Sequence, residues 1–144
     1  MTSSHATVIA EFVDTVWNQG NLADIDRFVH DGYMVDGDCF GIDGVRNNVR
    51  SFRQAFPDLR VDIDQIVEDA TGVAALLQLR GTHLGEWKGW PATGKCVDFR
   101  EAAFWTLADG KLFSGTFVAD ALTLRIQLGV IPDTVWRSTN SPEQ

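Results

Sequence analysis

The apolar residues of this chain change their period at Pro57, and that change limits the folds open to it. Before Pro57 they recur at helical spacing. Val8, Ile9, Phe12, Val13, Val16 and Trp17 share one helical face, and Gly20 suits the end of that helix. Asn21 suits the N-cap of a second short helix with Ile25, Phe28 and Val29 on its apolar side. A third helix is predicted from Asp43, as its N-cap, through Val45, Val49, Phe52 and Phe56. Proline disfavours helix in the residue before it and ends this one. After Pro57 the period is 2. Leu59, Val61 and Ile63 alternate with polar residues, as in a half-buried strand. Long strands follow over 73–83 and 97–107, and a return strand over 112–118, with Tyr33 to Val35 as a short earlier strand. Helices first and an antiparallel meander second is an α+β order, with a curved sheet folded over a few helices.

Strand pairing follows from the turns. Ala108-Asp109-Gly110 fits a three-residue hairpin loop. That register puts Asp98, Arg100, Ala102, Phe104 and Thr106 on one face with Leu112, Ser114, Thr116, Val118 and Asp120, and pairing across the Trp87–Trp90 loop adds Gln78 and Arg80. The strands over 73–83 and 97–107 are apolar on both faces. The helices can cover only one, so the other is expected to bury itself in a homodimer or higher homo-oligomer.

Charge excludes one class of partner. Twelve Lys and Arg against twenty Asp and Glu leave a net charge of −8, with no basic footprint for nucleic acid. No apolar run is long enough to span a membrane, and the N-terminus lacks the regions of a signal peptide. The 144 residues make a single domain with a tail over 131–144. Cys39 and Cys96 fit no CxxC pattern and read as reduced, near-core thiols of a cytoplasmic protein. The histidines, His5, His30 and His83, match no zinc spacing, and no metal is expected.

Several segments together resemble the SnoaL-like polyketide (ester) cyclase family of the NTF2-like superfamily. They are Phe56-Pro-Asp-Leu59, the run Gly81-Thr-His83-x-Gly85-Glu-Trp-x-Gly89-x-Pro91-x-Thr93-Gly94, Asp109-Gly-Lys111, and Asp120-x-Leu122-x-Leu124-x2-Gln127-Leu-Gly129. The resemblance implies a cone of strongly curved, mostly antiparallel sheet closed by about three N-terminal helices around a pocket. It implies cofactor-free chemistry on a small hydrophobic or aromatic carbonyl compound, and dimers or tetramers. It also implies that Asp120, which matches the family's aspartate, is the general acid/base of an aldol-type ring closure.

The residues weigh on that implication in both directions. Asp120 sits among apolar neighbours that would raise its pKa, and it is equally placed to cap the last helix. His83 is a second candidate proton carrier, or a hydrogen-bonded structural histidine at a strand end. Tyr33, Trp87 and Trp90 are candidates for gripping a flat substrate, although the two tryptophans would also serve as a plug at the open end of the cone. Gln78, Arg80, Arg100 and Phe104 complete the expected substrate pocket. Asp98, Arg100 and Asp120 would alternatively form an epoxide-hydrolase-like set, or a solvated ion-pair cluster. A hydroxylase-like pathway enzyme and a non-catalytic small-molecule-binding module are the other readings.

Overall fold

The structure, a computed structural model, describes residues 4–132 and residue 134. Helix α1 (His5–Phe12) starts at Ser4, whose hydroxyl accepts the Thr7 N–H, and it runs on into a π-helical turn, Val13–Asn18. A 3-10 turn, Leu22–Asp24, leads into the four-residue α2 (Ile25–Phe28). Strands β1 (Val29–Val35) and β2 (Asp38–Cys39) form a small hairpin. Helix α3 (Gly41–Ala55) follows. Then come β3 (Arg60–Glu68), β4 (Gly72–Thr82), β5 (Cys96–Ala108), β6 (Lys111–Ala119) and the closing helix α4 (Ala121–Leu128).

The six strands form one curved sheet in the order β2-β1-β6-β5-β4-β3. Every pair is antiparallel except β1 with β6, which run parallel. This is the α+β order expected from the change of period, with the curved, mostly antiparallel sheet that the resemblance implied. The sheet is wider than the meander read from the sequence, because β1 and β2 extend it past β6. Helix α3 begins earlier than expected: Phe40 holds the N-cap position and Asp43 lies in the first turn.

The alternating strands divide their residues cleanly. In β4, Val73, Ala75, Leu77 and Leu79 are buried and pack toward α1 and α3, while Arg80 is exposed on the other face. From the helical side, Ile9, Phe12, Val13 and Val16 meet Val45 and Val49 over the concave face.

The β5–β6 turn corrects the expected register. Ala108 pairs with Lys111, so the loop has two residues, Asp109 and Gly110, both with positive φ (53° and 75°). That is the backbone of a type I′ hairpin, for which Asp-Gly is a favoured pair. A bulge follows directly: Leu107 faces Leu112, but Thr106 faces Ser114, with Phe113 as the extra residue. Leu112 is therefore buried in the core, while Ser114, Thr116 and Val118 share the outer face with Thr106, Phe104 and Ala102. Both cysteines are exposed rather than near-core. The tail over 131–144 lies almost wholly outside the described residues.

Candidate active site

Alternation in β5 builds the site. Val97, Phe99, Ala103 and Trp105 are buried, and Glu101 occupies the middle of the same inward row. Leu77 of β4 and Phe117 of β6 extend this wall. Phe12, Val13 and Trp17 from the first helical segment and Val45 from α3 face it across a cavity of about 80 Å³. Val35 and Phe40 flank the β1–β2 side, and the exposed Asn48 contributes an amide from α3.

Four polar side chains reach this mostly apolar cavity: Glu101, Tyr33, Trp105 and Asn48. No lysine, arginine or histidine lies on its wall among the described residues. Burial alone, with no compensating cation or hydrogen bond, pushes the Glu101 carboxyl up to about 7. A carboxyl poised there exists in both protonation states at neutral pH, which is what a group that takes up and returns a proton needs. The Tyr33 phenol is only 3% exposed, and burial raises its pKa well above the ordinary value. Trp105 Nε1–H lies near enough to oppose part of that rise, while the charges of Asp36 and Glu101 add to it. The same indole N–H is buried with no hydrogen-bond partner of standard geometry. The ionisable side chains on this wall are thus one carboxyl and one phenol, with no imidazole or thiolate among the described residues.

Gly115 makes room for Tyr33. A Cβ there would run into the phenol oxygen and come within 2.9 Å of the Phe117 ring. Gly115 pairs with Trp105 across the β5–β6 ladder, so the phenol oxygen, reaching over β6 from β1, lies next to the strand that carries the indole.

Of the residues singled out in the sequence, Tyr33 alone lines this cavity. Asp120 is exposed: one carboxylate oxygen accepts Thr123 N–H at 3.1 Å and the other accepts the Thr123 hydroxyl at 2.7 Å, so it serves as the N-cap of α4. The expectation that it points into an apolar cavity is thereby overturned, because the cap geometry turns its side chain along the helix axis and outward. Gln78, Arg80, Arg100 and Phe104 stand on the outer face of the sheet. There Arg80 pairs with Asp98 at 3.3 Å and with Asp62 at 3.6 Å, and Arg100 with Asp64 at 3.8 Å. Gln78 donates to Asp98, and that bond, with Arg80 second, lowers the Asp98 pKa. The Asp98–Arg100–Asp120 group is thus a solvated surface arrangement and not a pocket triad.

His83 is fully buried but off the cavity wall. Its Nδ1 accepts Thr93 N–H at 3.2 Å, which leaves the ring proton on Nε2, and the ring packs on Phe56 at 5.4 Å. Backbone bonds from His83 N–H to Lys95 and from Gly94 N–H to His83 close the same loop, so His83 clasps its two ends. Trp87 and Trp90 bridge to each other within that loop and stack at 5.7 Å, with Arg125 of α4 lying 5.7 Å over each ring. Trp87 is buried against Phe52 and Phe56. Neither ring lines the cavity.

Glu101 and Trp105 escaped the sequence reading. The signal was present: Glu101 is the one charged residue in the inward series Val97, Phe99, Ala103, Trp105. Asp120 lies in register with the opposite, outward row of β5.

The comparisons with known proteins agree with this architecture. The TsrD structure from Streptomyces laurentii superimposes with a TM-score of 0.81 at 23% identity, over 88% of this chain and 95% of that one. A SnoaL-like polyketide cyclase from Agrobacterium tumefaciens gives 0.79 at 27% identity, over 88% and 99%. AclR from Streptomyces galilaeus gives 0.81 at 22%, over 96% and 91%. No curated protein matches the chain significantly. The model of the family described as SnoaL-like polyketide cyclase matches residues 7–128, and the chain belongs to that family.

Proposed function

We propose that the protein is a cofactor-independent acid/base enzyme that closes a ring in an aromatic polyketide, or a similar carbonyl compound, with Glu101 as the proton carrier. One observation carries the reading: among the described residues Glu101 is the only carboxyl on the wall of an apolar cavity, and burial pushes it up to about 7 there. As a carboxylate it removes a proton from the carbon beside a carbonyl. The resulting enolate carbon attacks a second carbonyl of the same molecule, and a carbon–carbon bond forms as that carbonyl's π bond opens to an alkoxide. Protonated Glu101 returns its proton to the alkoxide, so the cycle needs no co-reactant. The family match and the Agrobacterium neighbour support the cyclase class. Epoxide hydrolysis by an acid–arginine–acid set has no support from the cavity, whose wall carries no arginine among the described residues.

Deuterium uptake beside the carbonyl of 2-tetralone in D2O, followed by NMR, tests the proposal. The protein should accelerate uptake over buffer, and Glu101→Gln should remove at least about a hundredfold of that acceleration. Equal rates for the two proteins would rule Glu101 out.

The outer sheet face supports self-association. Val67, Phe104 and Val118 are 67%, 53% and 65% exposed there, next to the ion pairs of Arg80 and Arg100. We assign this face to a homodimer. The two free thiols fit a cytoplasmic setting, and no helix among the described residues is long and apolar enough to cross a membrane.

A further inference from the structure

We propose that the Tyr33 hydroxyl and the Trp105 Nε1–H are paired donors to a single oxygen of the ligand, and that this pair orients a planar enol or phenol in the cavity. The inference builds on the acid/base reading, in which negative charge collects on an oxygen as Glu101 takes the proton.

The two groups are brought together by the sheet. Trp105 points inward from β5, and its partner across the ladder is Gly115 of β6. The missing side chain at Gly115 is the space the Tyr33 oxygen occupies. The phenol and the indole are therefore set side by side by backbone pairing rather than by flexible loops. Trp105 is 4% exposed, lines the cavity, and has an N–H with no hydrogen-bond partner of standard geometry, the Tyr33 oxygen being the polar atom that lies near it. An indole N–H can only donate, so the group it lacks is an acceptor. Leaving a buried donor unmade is costly, and an acceptor oxygen at this point removes that cost.

The donors and the base lie on one wall. Glu101 and Trp105 are four residues apart in one strand and share a face, about 13 Å apart at the backbone. Glu101 and Tyr33 line the same cavity, and the Glu101 charge adds the smallest of the contributions that raise the Tyr33 pKa. An oxygen held by Tyr33 and Trp105 turns the ring carbons of a flat ligand toward Glu101. The wall carries aromatic faces on both sides, Phe117 meeting Trp105 edge-on at 5.7 Å. The ligand class is thus a planar, aromatic-sized molecule with one hydrogen-bond-accepting enol, enolate or phenolic oxygen at its edge.

Equilibrium dialysis with 2-naphthol and with 2-methylnaphthalene, in which a methyl replaces the hydroxyl, isolates the donor pair. Wild-type protein should prefer 2-naphthol. Tyr33→Phe and Trp105→Phe should each weaken 2-naphthol about five- to tenfold while changing 2-methylnaphthalene less than twofold. If Trp105→Phe does not fold, Tyr33→Phe decides. Equal losses for both ligands, no loss for either, or no binding of 2-naphthol by wild-type protein overturns the assignment. Glu101→Gln should keep the preference for 2-naphthol. If it does so yet still exchanges deuterium at the wild-type rate, the acid/base reading fails and the donor pair stands.

Discussion

Arg100 and Glu101 are consecutive residues of β5 that live in opposite environments. Arg100 pairs with Asp64 at 3.8 Å in solvent, and Glu101 projects into the apolar cavity behind the same strand. A pleated strand makes this separation automatic, since neighbouring side chains point to opposite faces. The cost falls on Glu101, which loses hydration and gains no cation.

That cost should appear in the pH dependence of stability. The carboxyl titrates at about 7 in the folded protein and near 4.5 in the unfolded chain. Between those values the folded state binds more protons, so stability falls as pH rises through the window and is flat in this respect outside it. The full difference is worth up to about 3 kcal/mol. Glu101→Gln should therefore be more stable than wild type at pH 8, by up to that amount, and no more stable than wild type at pH 4. Urea unfolding at the two pH values checks it; an equal offset at both would mean that burial of the charge is not the cause.

Gly115 offers a steric test of the cavity. Gly115→Ala places a methyl where the Tyr33 oxygen sits. We expect this variant to lose 2-naphthol binding, and Gly115→Ala with Tyr33→Phe to recover the melting temperature in part, since the phenol oxygen is the atom struck first. Thermal melts of the two variants and wild type read this directly. If the second change recovers nothing, the Phe117 ring, at 2.9 Å, is the dominant clash.

The fold was legible because it rests on periodicity and punctuation. The helices before Pro57, the long strands after it and the glycine-terminated α4 all follow from spacing, and Gly129 does adopt the left-handed φ of 78° that ends a helix. The site was much less legible. Asp120 drew attention as the family's aspartate, yet the cap reading of the same residue is the one its hydrogen bonds to Thr123 satisfy. Choosing its face also chose Gln78, Arg80, Arg100 and Phe104, which all stand outside, because one step along a strand exchanges the faces. Glu101 was recoverable from the apolar company it keeps in β5. The pairing of Tyr33 with Trp105 was not, since it depends on a parallel β1–β6 contact and on the bulge at Phe113, neither of which has a local signature.

Asp120 should behave as a cap. Asp120→Ala should cost about 1 kcal/mol of stability through α4, whereas Asp120→Asn should cost a few tenths at most. Both should retain deuterium exchange on 2-tetralone. Denaturation curves and exchange rates for the pair separate the roles: a stable Asp120→Asn protein without exchange would return the catalytic role to this aspartate.

The outer face should hold a dimer together. Phe104→Asp puts a charge in the middle of the patch formed with Val67 and Val118, and should convert a dimer to monomer at micromolar concentration without lowering the helix and strand content. Light scattering gives the mass. A wild-type monomer would refute the assignment, and an intact Phe104→Asp dimer would move the interface elsewhere.

The most direct measurement is the titration of Glu101 itself, by NMR of its 13C-labelled side-chain carboxyl, with Glu101→Gln to assign the resonance. The account predicts a midpoint at about 7. A midpoint near 4.5, the value of an ordinary glutamate, would show a hydrated carboxylate and contradict the central claim.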